Sequence, residues 1–204
     1  MNVAAAVVGG LAGLILGVVA DRWLLRRRYR YPDELGLPER SSRWLIAALP
    51  IVVALCLAAW WDASPAFAVV CAGYSVVLGV LTVIDIDVHR LPDAITLPLI
   101  PITAGVVVAL GRTHSGVDAL VRAALAGPAL GAFYFVQVLV GRGRGMGLGD
   151  AKLALSLGAL LGLQSYVHVF AATAITYVAA LLWGIGLLVR GGGRRTPFAF
   201  GPWM

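Results

Sequence analysis

Two aspartates in this sequence have the surroundings that carboxylate chemistry needs. Asp150 closes the run Gly143-Arg-Gly-Met-Gly-Leu-Gly-Asp150 and opens directly onto the apolar stretch Ala151-Lys-Leu-Ala-Leu-Ser-Leu-Gly158. Asp85 sits inside an apolar run, in Val83-Ile-Asp-Ile-Asp-Val-His-Arg-Leu-Pro-Asp93. A carboxylate at membrane depth is costly to keep charged, so it is a functional hypothesis from the start. Two carboxylates at one membrane-embedded site suggest an aspartic dyad. Adjacent negative charges repel, so such a pair shares one proton. The ionised member draws a proton from water, and the protonated member polarises the scissile carbonyl. Water attacks directly, with no cofactor, no metal and no covalent intermediate. The proton belongs to the pair, so neither Asp85 nor Asp150 is assigned it.

Five neighbours are candidate supporting residues. Asp87 lies two residues beyond Asp85 and would face nearly the opposite way on a continuing helix. Asp93 follows Pro92 and precedes an apolar run, which predicts a helix N-cap. Lys152 has two readings: it stabilises ionised Asp150, or it snorkels to the interface. Gly147 and Gly149 permit unusual backbone angles and close approach of another chain, such as an extended peptide pairing through its backbone. His89 either tunes Asp85 or is a solvated loop histidine.

The elements that position these residues follow from composition. The chain has 204 residues, is 60% hydrophobic and 13% charged, and has a mean hydropathy of +0.91. Those values exclude an ordinary soluble domain and indicate a polytopic membrane protein. The net charge of +6 does not indicate a nucleic-acid partner, because the arginines cluster between apolar runs. Cys56 and Cys71 both lie in apolar runs, without a Cys-x-x-Cys, so neither a zinc site nor a disulfide framework is supported. His114 and His168 lie toward the face opposite the aspartates and add no metal site. Lys152 does not complete a phosphate-binding Gly-x-x-x-x-Gly-Lys-[Ser/Thr] motif.

A membrane-crossing helix takes about 20 mostly apolar residues. About seven spans are predicted, at 3–20, 44–61, 66–84, 94–111, 119–140, 151–163 and 165–189, all helical because lipid offers the backbone no hydrogen-bond partner. The expected fold is an all-α transmembrane bundle over 1–204, with an eighth span lost or short after Met204. The first run has no positive n-region, so it reads as a retained span with its N-terminus outside. The cytoplasmic segments are then 21–43, 85–93, 141–150 and 190–204. They, with Lys152 beside them, hold every lysine and arginine except Arg112 and Arg122, in accord with the positive-inside rule. This puts the segments of Asp85 and Asp150 on one face. The basic loop 21–43 either lies against anionic lipid headgroups or simply sets orientation. Small residues recur at four-residue spacing in Gly9/Gly13/Gly17, Gly127/Gly131, Ala154/Gly158/Gly162 and Ala180/Gly184, as close helix packing requires. Asp150 shares the face of the Ala154 stripe, which turns it toward the bundle interior.

The segments Asp85-Ile-Asp-Val-His-Arg-Leu-Pro-Asp93-Ala-Ile-Thr-Leu-Pro98 and Gly147-Leu-Gly-Asp150-Ala-Lys-Leu153, with Thr196-Pro-Phe-Ala-Phe-Gly-Pro202, resemble the type IV prepilin peptidase family. These are GxGD intramembrane aspartic proteases, and the likeness covers roughly 66–204. It implies that Asp85 and Asp150 are catalytic. It also implies that the substrates are prepilins or pseudopilins, whose short basic leader is removed at the cytoplasmic face of the inner membrane. Many members of that family have a longer first cytoplasmic domain with paired Cys-x-x-Cys motifs and methylate the new N-terminus with S-adenosylmethionine. Loop 21–43 is short and has no cysteine, which speaks against methyltransferase activity. Two other function classes compete. A proton-coupled transporter or ion pathway also uses intramembrane aspartates, but would place them near the midplane, often within an internal repeat. A pilus-assembly scaffold would need neither carboxylate.

Overall fold

The structure, a computed structural model, describes residues 2–38, 40–112, 116–141 and 146–189. Arg142, Gly143, Arg144, His114, Arg190, Arg194, Arg195 and the Thr196–Pro202 segment lie outside the described residues. Seven α-helices occur among the described residues, and each predicted span is one of them. The chain divides into two compact units, Met1–Val88 and His89–Met204.

The first unit holds α1 (Val3–Leu25), a single 3-10 turn (Pro32–Glu34), α2 (Trp44–Trp60) and α3 (Pro65–Val88). α1 and α2 are antiparallel and bound at both ends. At one end Asn2 caps α1 by accepting from the Ala5 N–H at 3.0 Å, and its amide donates to Asp62 at 2.8 Å. At the other, Ser42 donates to the buried Asp21 carboxylate. Between these ends the predicted glycine stripe does its work. A Cβ on Gly13 would lie 2.6 Å from the Leu49 carbonyl oxygen, and Gly9 and Gly17 meet the α2 backbone almost as closely. Only glycine lets the two backbones approach this far. Leu45 and Leu49 of α2 then pack over Gly79 of α3.

The second unit holds α4 (Asp93–Leu110), α5 (Gly116–Val140), α6 (Leu148–Gln164) and α7 (Tyr166–Val189). α5 and α6 interlock through two facing stripes. Gly127 and Gly131 lie against Leu155, and Gly158 and Gly162 lie against Ala126. Gly184 faces open space, so the fourth predicted stripe does not seat a helix at that residue. Arg122 donates to the Leu163 carbonyl at 3.1 Å, a cation at a helix C-terminus, where unsatisfied carbonyls attract it. That contact accounts for an arginine on the face where the charge rule expects few. The break between α6 and α7 falls at Ser165, whose backbone is extended. Its hydroxyl accepts from the His168 N–H at 3.2 Å, the bond that starts a new helix.

Five helices among the described residues are long and apolar enough to cross a membrane, namely α1, α3, α4, α5 and α7. α2 and α6 have 17 residues each, about 26 Å of helix, short of the ~30 Å hydrocarbon core. α7 turns large apolar side chains such as Phe170, Ile175 and Leu182 outward, the surface a lipid-facing helix needs. The chain is a multi-pass membrane protein.

Candidate active site

Asp150 is the third residue of α6 and is 6% exposed. Its carboxylate accepts from the Gly147 N–H at 2.9 Å, while its own N–H donates to the Gly147 carbonyl at 3.2 Å. This reciprocal pair is the arrangement an acidic residue at the third helical position makes with the residue before the helix. It also fixes the carboxylate at the positive end of the helix dipole. Ala151 and Ala154 pack on the fully buried Tyr134 of α5, with Met146 and Tyr177 at the edge of the cluster.

The two glycines of the motif serve different ends. Neither needs a positive φ, contrary to the expectation of unusual backbone angles. Gly147 is extended at φ −93° and ψ 160°. A Cβ there would meet nothing closer than Asp150 Oδ2 at 3.7 Å. Gly149 is different: a Cβ would lie 2.7 Å from the Cβ of Leu91. Leu91 therefore occupies the space that the missing side chain leaves. The helix in question is already formed around Gly149, so close approach is what the residue provides.

Lys152 and Asp93 meet across the same end of this unit. The ammonium donates to Asp93 Oδ1 at 2.6 Å. Of the two readings of Lys152, neither named this partner. Asp93 is also not the N-cap that its position predicts. α4 begins at Asp93 itself, with Pro92 extended before it. The proline fixes its own φ and ends the preceding segment, so the aspartate moves one place into the helix and its side chain is left to reach Lys152.

Asp85 lies in the last turn of α3 and is 5% exposed. The segment 85–93 is read from sequence as a loop, yet α3 continues to Val88, because a helix satisfies its backbone where water is scarce. Asp87 then meets the basic loop, a partner that its two-residue offset from Asp85 does not name. Arg30 grips it with two bonds, Nε at 2.8 Å and Nη2 at 2.7 Å, and Tyr29 adds a third at 2.8 Å. Burial and the Asp87 carboxylate push the Tyr29 phenol up to about 12. The Asp87 hydrogen bonds hold the Arg30 guanidinium above its ordinary value. The same guanidinium donates to the carbonyls of Glu34, Leu37 and Pro38. One arginine thus pins the turn at 34–38 to the end of α3. His89, next along, has a left-handed backbone at φ 53° and is exposed.

The type IV leader peptidase family matches residues 72–185, more than half of the chain and inclusive of both aspartates. The chain belongs to that family. A prepilin leader peptidase/N-methyltransferase of Aeromonas salmonicida (strain A449) is 35% identical over 163 residues, 78% of this chain and 52% of that protein. The protein of the same name in Aeromonas hydrophila is 36% identical over 162 residues, again 78% and 52%. That of Pectobacterium carotovorum subsp. carotovorum is 36% identical over 127 residues, 61% of this chain and 44% of its own. The chain spans about half the length of the curated relatives it matches. No solved structure matches it.

Within this leader peptidase family member, sequence reading passed over several polar residues beside the aspartates. Tyr177 donates to Gln137 Oε1 at 2.6 Å, and its ring packs against those of Phe133 and Tyr134. A Gln inside an apolar run was a visible signal for such a polar bond. Arg30 reads from sequence as orientation-setting or lipid-facing charge of the basic loop, and its pairing with a residue 57 positions away has no local signature. Among the described residues no group of His, Cys, Asp and Glu could hold a metal ion.

Proposed function

We propose that this chain is a membrane aspartic endopeptidase. It removes the basic leader from type IV prepilins or pseudopilins at the cytoplasmic face of the inner membrane. The observation that carries the reading is Asp150 itself. It is a buried carboxylate fixed to Gly147 in the first turn of α6, inside the segment that matches a leader peptidase family. Asp85, also buried and inside that segment, is its partner in the dyad. Leu91 contacts Gly149, and Asp85 precedes Leu91 by six residues in the chain.

In this mechanism Asp85 and Asp150 share one proton and one water. The ionised carboxylate takes a proton from the water as it attacks the peptide carbonyl. The other carboxyl hydrogen-bonds the carbonyl oxygen, and the leaving nitrogen takes the proton that the first carboxylate drew from the water as the C–N bond breaks. Gly149 is filled by Leu91, so Gly147, exposed and open on the Cβ side, is the glycine that receives the extended leader backbone. Lys152 and Asp93 hold α6 and α4 in alignment at the site, and Asp87 holds the basic loop. Loop 21–43 carries no cysteine, and the reading includes no methyl transfer.

The test is to incubate the purified chain in detergent with a prepilin and follow release of the leader. Release at a single peptide bond is the expected result. Intact prepilin, with proton flux through the same preparation in proteoliposomes, would replace this reading with the transporter.

A further inference from the structure

A cavity of about 280 Å³ opens where α1 ends, α2 begins and α3 ends. Its lining mixes apolar Leu24, Leu25 and Val83 with four arginines, Arg27, Arg30, Arg40 and Arg43, and one carboxylate residue, Asp87. Hydroxyls of Tyr29, Ser41 and Ser42 complete the lining.

The four arginines are not equivalent. Arg30 is committed to Asp87 and to three carbonyls, so it builds the wall. Arg27 lines the cavity from a left-handed backbone at φ 52°. That conformation is disfavoured for a non-glycine residue and tends to persist at functional sites. Arg40 and Arg43 are exposed and enter no ion pair among the described residues. They are the groups with bonding capacity left for a ligand.

Depth identifies the ligand. Trp23, Tyr31 and Trp44 surround this end of the unit with partly exposed rings, and Trp and Tyr concentrate at the headgroup level of a bilayer. A cavity there, lined by both apolar side chains and arginines, matches a phosphate attached to acyl chains. Guanidinium groups bind phosphate with charge-assisted, frequently two-pronged hydrogen bonds. We propose that this cavity binds the phosphate of an anionic phospholipid headgroup, with Arg40 and Arg43 as its direct ligands. The proposal is independent of the peptidase reading.

The test titrates short-chain phosphatidylglycerol into the full chain in neutral detergent, with binding followed by native mass spectrometry. Arg40→Gln/Arg43→Gln is compared with Arg26→Gln/Arg28→Gln, a pair from the same loop that removes equal charge away from the cavity. Circular dichroism confirms that both variants keep the wild-type helix content. The expected result is about a tenfold weaker Kd for the first pair and less than about threefold for the second, since each basic residue near a headgroup contributes modestly. Phosphatidylcholine and water-soluble glycerol phosphate are expected to bind far more weakly than phosphatidylglycerol. Equal weakening by the two pairs would reduce the cavity to diffuse surface charge and overturn the proposal. So would equal affinity for phosphatidylcholine or glycerol phosphate, or displacement of the lipid by a soluble acidic peptide.

Discussion

Lys152 donates to Asp93 at 2.6 Å, joining the second turn of α6 to the first residue of α4. The pair is partly exposed, with Lys152 the more covered side chain, and exposed bridges contribute roughly 0–1 kcal/mol. Its value lies in alignment. Lys152→Glu is therefore expected to leave the melting temperature nearly unchanged while lowering leader cleavage about tenfold, through repulsion of Asp93. The charge-swapped double variant Asp93→Lys/Lys152→Glu is expected to regain most of that loss, as coupled neighbours do. Cleavage rates of the three variants make the comparison, and additive losses would contradict it.

Gly147 and Gly149 should separate in a stability assay. Gly149→Ala places a Cβ 2.7 Å from the Cβ of Leu91, an overpacking expected to cost about 1–3 kcal/mol. Gly147→Ala meets only ordinary contacts at a φ any residue adopts, and is expected to change stability by less than about 0.5 kcal/mol. Leu91 is buried, so Leu91→Gly is itself expected to destabilise, but it removes the atom that opposes Gly149→Ala, and the double variant should lose less than the sum of the two single losses. Thermal melts in one detergent read each variant.

Arg30 and Asp87 form a pair whose side chains are 1% and 2% exposed. Removing one partner of such a pair leaves the other buried and uncompensated, at a cost of about 3–5 kcal/mol. Arg30→Met is expected to show that loss in a thermal melt and to release the 34–38 turn to limited proteolysis.

Tyr29 gives the same region an alkaline limit. Its phenol is raised in the fold from 10.0 to about 12, first by burial and then by Asp87. The unfolded chain loses that proton first as pH rises. The stabilisation is therefore complete below pH 10 and disappears as pH approaches 12. Tyr29→Phe should flatten this part of a stability-versus-pH curve.

The sequence made the helices legible because a bilayer dictates length and hydropathy together. It also made three of the four small-residue stripes legible, since glycine at every fourth position has few other uses. The α6–α7 boundary depended on one hydroxyl, Ser165, whose bond to His168 is local enough to be found. The unread features are non-local. Asp93 looks like a cap until Lys152, 59 residues away, supplies its partner. Arg30 looks like surface charge until the fold brings Asp87 to it. Periodicity reports which face a residue occupies, and it carries no information about which distant side chain meets that face.

The central claim is that Asp85 and Asp150 together activate the attacking water. Asp85→Asn and Asp150→Asn, each nearly isosteric, are purified beside the wild-type chain and given the same prepilin. The measurement is the rate of leader release, with helix content and melting temperature as folding controls. The account predicts folded proteins with no detectable cleavage from either variant. Wild-type processing by one of them would contradict it.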